Sequence, residues 1–299
     1  MTAAGFVTRF APSPSGRLHR GHAFSALTAH EAARQAGGRF LLRIEDIDTG
    51  RCRPEFDAAI EEDLAWLGLT WEQPVRRQSE RGPAYGRALE QLRERCLLYR
   101  CFRTRRDILD EIGRAPHSAA EAVCPGPVSS EEERRRLTAA EPFAWRLSLA
   151  SAAACLGGFS ALSFQESGCG PGGERGLIQA RPEVAGDVVL ARKDLGVSYH
   201  LAVVVDDADQ GVTDVIRGED LFSAAHVQRL LQALLGLPTP TYRHHRLLLR
   251  PDGKRFAKRD AAETLADLRA RGVTPAALRA QLGFQAACPE AGPRSILGS

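Results

Sequence analysis

The order of predicted strands and helices near the N-terminus constrains the fold more than any other feature of the sequence. Residues 6–10 form a short apolar segment typical of a buried strand, and a proline-rich loop follows at once. A helix is predicted over about residues 21–36, where two glycines end it. Residues 39–44 predict a second strand. Because strand, helix and strand follow one another, we expect an α/β fold with a parallel sheet and right-handed crossovers.

Later segments extend this pattern. The next helix is predicted to bury four apolar residues on one face: Phe56, Ile60, Leu64 and Leu67. Its exposed face is predicted to carry three acidic residues: Glu61, Glu62 and Asp63. Residues 186–192 and the apolar run 198–206 predict two more strands, and residues 227–235 predict a helix that Gly236 ends.

Composition excludes several classes of protein. Hydrophobic residues make up 43% and charged residues 26%, which is ordinary for a globular protein in water. No apolar run is long enough to span a bilayer, and the first residues lack the features of a secretory leader, so the cytoplasm is the expected location. The seven cysteines form no dense framework, which favours reduced thiols. The net charge of +3 does not by itself indicate a nucleic-acid partner.

Two motifs are suited to phosphate groups. In the first, the proline-rich loop leads to His19-Arg20-Gly21-His22, where the free N–H groups of a helix N-terminus favour phosphate and glycine permits close approach. In the second, residues 254–259 form a cationic loop that can stabilise charge on a phosphoryl group, and two of the chain's three lysines lie in it. Taken alone, each motif is more often structural: a capped helix with surface histidines, or a solvated basic turn.

Two further motifs are suited to an amino acid. The string Glu45-Asp46-Ile47-Asp48 follows a predicted strand, at the edge of the sheet where ligands bind in α/β folds, and the Glu45 carboxylate can hold an ammonium group. Arg217 can bind a carboxylate through two N–H groups. The structural alternatives are acidic residues that begin a helix and an arginine in an ion pair.

Taken together and in this order, the four motifs resemble the catalytic domain of the glutamyl and glutaminyl branch of class I aminoacyl-tRNA synthetases. The segment His19 to His22 is similar to the family's HIGH signature, with arginine in the second place. Residues 255–259 are similar to its KMSKS loop, with Ala257 in place of serine. Three more strings look like family landmarks: residues 43–48, 65–69 and 215–220. The resemblance covers roughly residues 5–110 and 185–260.

The resemblance ends soon after the KMSKS-like loop, where full-length glutamyl-tRNA synthetases continue into a large anticodon-binding region. This shorter plan resembles the glutamyl-queuosine tRNA(Asp) synthetases. It implies an enzyme that uses ATP and Mg²⁺ to activate L-glutamate as glutamyl-adenylate. The glutamate would then pass to the queuosine base in the anticodon of tRNA(Asp), not to the terminal adenosine. A monomer without membrane contact is expected.

The resemblance also implies four regions. Residues 1–95 and 185–241 would form the two halves of a Rossmann-like catalytic domain. An insertion over residues 96–184 would correspond to a degenerate zinc arm and acceptor-contact region. Residues 242–299 would hold the KMSKS-like loop and a short α-helical tail, with no anticodon-binding domain.

Carried over position by position, the resemblance assigns the site residues to two groups. Glutamate would be bound by Arg9, Ala11, Ser13, Glu45, Tyr199 and Arg217. ATP would be bound by His19, Gly21, His22 and Lys258. The catalytic residues among these would be His19, His22 and Lys258.

The sequence departs from the family in the insertion. Relatives often bind zinc there through a Cys-x-Cys pair, a tyrosine and a later cysteine. Cys101 keeps the first position, but Arg103 replaces the second, Cys124 stands at the tyrosine position and a valine at the last. The two remnants, Cys101 and Cys124, do not complete a tetrahedral site, so zinc is not expected unless Cys96 or His117 contributes.

Two other functions stay open at this point. A compact glutamyl-tRNA synthetase could charge the tRNA 3′ end, and a queuosine-free tRNA(Asp) transcript would separate it from the queuosine type. A non-catalytic paralogue could bind tRNA or a protein. The two histidines, Glu45 and Lys258 argue against that paralogue, whereas Ala257 and the eroded cysteine cluster leave it open.

If Lys258 stabilises charge that develops on the α-phosphoryl group, Lys258→Ala slows glutamate activation more than it weakens glutamate binding. ATP–pyrophosphate exchange gives the rate of activation, and calorimetric titration gives the affinity for glutamate. Equal losses in the two measurements would remove Lys258 from this role.

Overall fold

The computed structural model of the chain describes residues 5–103, 125–192, 196–248 and 263–284. Within these ranges the strands are β1 (Val7–Phe10), β2 (Arg39–Ile44), β3 (Glu72–Arg77), β4 (Leu98–Cys101), β5 (Ala144–Leu147), β6 (Ser163–Glu166), β7 (Gly176–Gln179), β8 (Val189–Arg192), β9 (Gly196–Val197), β10 (Asp214–Gly218) and β11 (Thr241–His245). The helices are α1 (Arg20–Gln35), α2 (Pro54–Trp66), α3 (Gly82–Glu94), α4 (Ser130–Thr138), α5 (Leu149–Leu156), α6 (Tyr199–Asp209), α7 (Phe222–Leu235), α8 (Leu265–Ala270) and α9 (Pro275–Gln281).

Two mainly parallel sheets meet at the centre of the fold. Strand β2 pairs in parallel with β1 and with β3. Strand β11 pairs in parallel with β10 and with β6, and β7 adds an antiparallel edge. Strands β1 and β10 lie side by side where the N–H of Thr213 donates to the carbonyl oxygen of Val7 (2.9 Å). The predicted α/β fold with a Rossmann-like parallel sheet is confirmed.

The core lies on both faces of this sheet, as a parallel sheet requires. One face carries Val7, Leu41, Val215 and Tyr242, which pack against α3, α6 and α7. The opposite face carries Phe10, Leu42, Ile44 and Ile216, which pack against α1, α2, α8 and α9. Neighbouring residues of one strand thus belong to different cores. None of the helices in the described ranges is long and apolar enough to cross a membrane.

The region predicted as an insertion contains strands of two kinds. Strands β4 and β5 form an antiparallel sheet with β8 and β9. Strand β6 lies in the same region of the sequence, yet it pairs with β11 in the parallel sheet. The division of the chain into four regions stays a prediction.

Helix ends agree with the sequence signals. Helix α1 begins after His19, which caps it, and ends before Gly37. Helix α7 ends at Gly236, whose φ of 67° is the left-handed conformation that favours glycine. Two short helices, α8 and α9, follow the KMSKS-like loop, so the predicted helical tail is confirmed.

The strand predicted for residues 198–206 is wrong, because these residues begin helix α6. The helix is buried from Leu201 to Val204 and again at Asp206 and Asp207, since the sheet and two helices cover it. A helix covered on several sides has the same continuous apolar run as a buried strand, and consecutive valines favour the strand.

The exposed position predicted for Asp63 is also wrong. Asp63 is fully buried, whereas Glu62 beside it is exposed. Helix α8 covers this side of α2 and brings Nη2 of Arg269 to 3.0 Å from Glu62 and 3.7 Å from Asp63. Neither carboxylate oxygen of Asp63 accepts a hydrogen bond from any residue that the structure describes. Burial therefore raises the pKa of Asp63 to about 6, although Arg269 opposes the shift.

The raised pKa of Asp63 predicts that its ionisation lowers the free energy of unfolding, by an amount that depends on pH. In the unfolded chain an aspartate ionises near pH 4, so this reduction is absent below that pH and complete above about pH 6. We expect Asp63→Asn to raise the free energy of unfolding by about 1–2 kcal/mol at pH 8 and to leave it unchanged at pH 4. Urea unfolding at both pH values measures this, and Glu62→Gln is the exposed control. A loss of stability at pH 8 would contradict the assignment.

Candidate active site

A cavity of about 610 Å³ opens at the carboxyl ends of β1, β2 and β10 and at the N-terminus of α1. This is the edge of an α/β sheet where ligands bind. Nine of the ten site residues predicted from the sequence line it: Arg9, Ala11, Ser13, His19, Gly21, His22, Glu45, Tyr199 and Arg217. The tenth, Lys258, lies outside the described residues. The roles assigned to these residues stay predictions.

Both histidines cap the first turn of α1. The backbone N–H of Gly21 donates to Nδ1 of His19 (3.1 Å), and the N–H of His19 donates to Nδ1 of His22 (3.2 Å). Because each Nδ1 is an acceptor, the neutral rings carry their proton on Nε2. The ring centroids lie 3.8 Å apart. Two Nε2–H donors are thus held at a helix N-terminus, an arrangement that suits phosphate oxygens.

Gly21 gives the His19 ring its position. A Cβ atom at residue 21 would lie 3.0 Å from Cε1 and 3.1 Å from Nδ1 of His19. These distances are shorter than ordinary van der Waals contacts, so a side chain there would require the imidazole to shift by a few tenths of an ångström.

A buried cluster of two arginines and two carboxylates lies at one side of the cavity, which two of its members, Arg9 and Glu45, line. Nε of Arg9 lies 2.9 Å from Oδ1 of Asp207, and Nη1 of Arg43 lies 2.7 Å from the same oxygen. Nη2 of Arg43 lies 3.1 Å from Oε1 of Glu45. The formal charges of the four groups cancel, which allows them to be buried together.

The two carboxylates of this cluster differ in their pKa values. Burial would raise the pKa of Asp207, but the guanidinium groups of Arg9 and Arg43 hold it below its usual value. For Glu45, burial dominates and raises the pKa, although Arg43 and Arg9 oppose it. Glu45 is therefore the carboxylate that a cationic ligand would stabilise most in its charged form.

Arg217 is held differently, because its partners are all neutral. Its guanidinium donates to Nε2 of His244 (3.0 Å), the hydroxyl of Tyr199 (3.2 Å), Oε1 of Gln228 (3.0 Å) and the carbonyl oxygen of Leu221 (3.0 Å). Arg217 is only 5% exposed, and it has no ion pair with a carboxylate in the described part of the chain. The structural ion pair considered for Arg217 is thus not found there. A ligand carboxylate would supply the missing negative charge.

Sequence reasoning missed three residues that hold the cavity side chains in place. Arg43 opens a string that resembles the family, but no role was predicted for it. Asp207 lies in the helix that was predicted as a strand. His244 follows Tyr242 at the period-two spacing of a buried strand face, which is the only signal that could have found it.

Of the two zinc-site remnants, only Cys101 lies among the described residues. Cys101 is buried at the end of β4, and Cys124 lies outside the described residues. Among the residues that the structure describes, no group of three His, Cys, Asp or Glu side chains could hold a metal ion. The expectation that zinc is not bound stays a prediction.

Comparison with known proteins agrees with this geometry. The family model described as "tRNA synthetases class I (E and Q), catalytic domain" matches residues 6–294. The chain belongs to this family. A protein of Rhodobacter capsulatus named glutamyl-Q tRNA(Asp) synthetase is 49% identical over 287 residues, which are 93% of this chain and 100% of that protein. A protein of Nocardia farcinica with the same name is 41% identical over 98% of this chain and 88% of its own length.

The family is also visible in solved structures. The crystal structure of a glutamate tRNA ligase from Elizabethkingia meningosepticum, in complex with its amino acid, superposes with a TM-score of 0.71 and 29% identity. The match covers 86% of this chain and 52% of the ligase, so the chain spans about half the length of that structure. The predicted resemblance to the glutamyl-queuosine tRNA(Asp) synthetases and to the class I catalytic domain is confirmed.

The cluster around Asp207 predicts a large loss of stability when one charge is removed. Asp207→Asn leaves two buried arginines with a single carboxylate, so we expect the free energy of unfolding to fall by about 3 kcal/mol at pH 7. Because the folded pKa of Asp207 is lowered, its contribution is complete above about pH 4 and disappears as the pH falls further.

Urea unfolding across this pH range measures the effect. The matched control is Asp209→Asn on the same helix, because Asp209 is 48% exposed and pairs with Arg76 and Arg81 at the surface. The control should lose less than about 1 kcal/mol. Equal losses in the two variants would show that the buried cluster contributes no more to stability than the surface ion pairs of Asp209.

Proposed function

We propose that the chain activates L-glutamate with ATP as glutamyl-adenylate and transfers the glutamate to the queuosine base in the anticodon of tRNA(Asp). The observation that carries this proposal is the shared cavity. In it lie Arg217, which has no carboxylate partner among the described residues, and the histidine-capped N-terminus of α1. The first suits an acidic amino acid and the second suits phosphate. The choice of queuosine as acceptor is supported by the name of the Rhodobacter capsulatus relative, whose full length this chain matches.

Glutamate is bound by charge at both of its polar ends. Arg217 offers the uncompensated positive charge for a carboxylate, and the hydroxyl of Tyr199 lies beside it. Glu45 accepts the ammonium group, which favours the ionised form of its carboxylate. The charge of Arg9 is already balanced by Asp207, so Arg9 acts mainly through its fixed position in the cavity wall.

ATP is bound at the start of α1. Its phosphates accept from the Nε2–H groups of His19 and His22, and Gly21 keeps the His19 ring in place. Lys258 of the KMSKS-like loop is proposed on the sequence alone as the cation that approaches the α-phosphoryl group. Mg²⁺ accompanies ATP and reduces the charge of the phosphates.

The reaction then has two steps. In the first, an oxygen of the glutamate α-carboxylate attacks the α-phosphorus, the bond to the bridging oxygen breaks, and pyrophosphate leaves. In the second, a hydroxyl of the acceptor nucleoside attacks the activated carbonyl, loses its proton and displaces AMP. The donors fixed around the phosphates stabilise charge as it develops in the first step.

We assign the acceptor nucleoside to a place beside the glutamate end of the cavity. A smaller cavity of about 240 Å³ shares Ser13, Glu45, Arg51 and Tyr199 with the main one. The same proposal includes tRNA(Asp) as partner, a monomeric enzyme, a cytoplasmic location and the four regions described above.

The test is glutamate-dependent ATP–pyrophosphate exchange without tRNA. We expect exchange, because the charges that bind glutamate and phosphate are already assembled in the protein. Glutamate should then be transferred to native queuosine-containing tRNA(Asp) and not to a queuosine-free transcript. Exchange only with tRNA, together with charging of the transcript, would support the compact glutamyl-tRNA synthetase. Absence of exchange under both conditions would support a non-catalytic paralogue.

A further inference from the structure

Arg217 is held from behind by a buried histidine and a buried glutamate. Its Nε–H points at Nε2 of His244 (3.0 Å), and Nδ1 of His244 lies 2.5 Å from Oε2 of Glu166. The side chains of His244 and Glu166 are completely buried. The three residues come from β10, β11 and β6, which are adjacent strands of the parallel sheet.

The hydrogen-bond partners determine which nitrogen of His244 carries the proton. An arginine side chain only donates, so Nε2 of His244 must be the unprotonated acceptor. The proton is then on Nδ1, where it is donated to Glu166. The backbone N–H groups of His244 (3.0 Å) and Gly168 (2.7 Å) both donate to the other carboxylate oxygen, Oε1 of Glu166. Every polar atom of the two side chains is thus used in one arrangement.

We propose that Glu166 and His244 are positioning residues for substrate binding: Glu166 fixes the Nδ1–H form of His244, which in turn holds the Arg217 guanidinium toward the substrate carboxylate. This inference rests on the proposed function, because it takes glutamate as the ligand of Arg217. Neither residue lines the main cavity. They act through Arg217 and do not touch the substrate.

The neutral imidazole ring of His244 separates the Glu166 carboxylate from the Arg217 guanidinium. A carboxylate in direct contact with Arg217 would neutralise the guanidinium and compete with the substrate carboxylate. With the imidazole between them, the Glu166 carboxylate stays one ring away and orients Arg217 through a hydrogen bond. The positive charge remains available on the cavity side.

A purely structural role is the alternative to be tested. His244 also packs against the rings of Phe222 and Tyr242, with centroids 5.2 Å and 6.0 Å away. Loss of stability alone would therefore not distinguish the two roles. The test needs a change that keeps the shape of the site and reverses the hydrogen bonds.

Glu166→Gln makes such a change. The two backbone N–H groups at Oε1 require an acceptor, so the amide oxygen of glutamine must lie there and its NH₂ group must face Nδ1 of His244. His244 then has to accept at Nδ1 and carry its proton on Nε2. Two donors would face each other, Nε2–H of His244 and Nε–H of Arg217, and their hydrogen bond is lost.

We expect Glu166→Gln to raise the KM for glutamate in ATP–pyrophosphate exchange by roughly 10- to 100-fold, the effect of a lost hydrogen bond to a charged group. The KM for ATP should not change. The matched control is Asp187→Asn, another buried carboxylate, which accepts from the Tyr99 hydroxyl and the Leu149 N–H and does not line the cavity. It should lower the melting temperature and leave the KM for glutamate unchanged.

A second readout is independent of catalysis. In ¹⁵N spectra of the imidazole groups, His244 should be the Nδ1–H form in the unchanged protein and the Nε2–H form in Glu166→Gln. Comparison with His244→Gln identifies its signal. An Nε2–H form in the unchanged protein, or no change in Glu166→Gln, would overturn the proposal.

The outcomes also separate this inference from the proposed function. If the unchanged protein gives no exchange, the proposed function fails, and calorimetric titration with glutamate takes the place of KM. If exchange is normal and Glu166→Gln keeps its KM for glutamate, the positioning role fails alone. Should Glu166→Gln not fold, His244→Gln keeps an acceptor for Arg217 and His244→Leu does not. Equal KM values for glutamate in these two variants would likewise overturn the proposal.

Discussion

The active-site end of the fold depends on the ion pairs of the fully buried Arg43 guanidinium. Arg43 joins the end of β2 to helix α6 through Asp207, and Asp207 extends the connection to Arg9 on β1. None of these charges could remain in the interior alone, because the loss of hydration would exceed any single attraction. Together with the carboxylate of Glu45, which Arg43 also contacts, their formal charges cancel. The cluster therefore holds the ends of β1 and β2 in place, and the loops that line the cavity begin there.

The cavity combines this charge-balanced cluster with an arginine whose charge is not balanced by a carboxylate of the described residues. Arg9 and Arg217 both line it and both are buried, yet among the described residues only Arg9 has a carboxylate partner. The difference between them is electrostatic and cannot be read from exposure. It separates a structural arginine from one that suits an anionic ligand, and it agrees with the acidic amino acid named for the relatives of this chain.

Much of the fold could be predicted because its signals are local. The glycines after α1 and α7, the alternation of strands and helices, and the motif around His19 each depend on a few consecutive residues. The predicted site residues that the structure describes also lie in one cavity, since motifs at the ends of parallel strands meet at one edge of the sheet.

The features that could not be predicted depend on distant packing. Helix α6 has the apolar run of a strand because its neighbours cover it on several sides. Asp63 is buried because α8, some 200 residues later in the sequence, covers it. His244 and Asp207 are polar residues at positions that look structural, and only the side chains they meet across the sheet give them a role. Sequence patterns report which face of an element is apolar, but not which polar groups meet there.

The anchoring of the chain on both sides of the KMSKS-like loop limits where Lys258 can be. Before the loop, Leu248 lines the cavity, and after it Thr264 forms a bridge with His19 while the N–H of Leu265 donates to the carbonyl oxygen of Leu18. Lys258 is six residues from Thr264, so even a fully extended chain keeps its Cα within about 22 Å of that anchor. The covalent tether therefore gives the lysine a high effective concentration near the N-terminus of α1, where the phosphates are proposed to bind. For the proposed contact of Lys258 with a phosphate group, this covalent tether takes the place of diffusion through solvent.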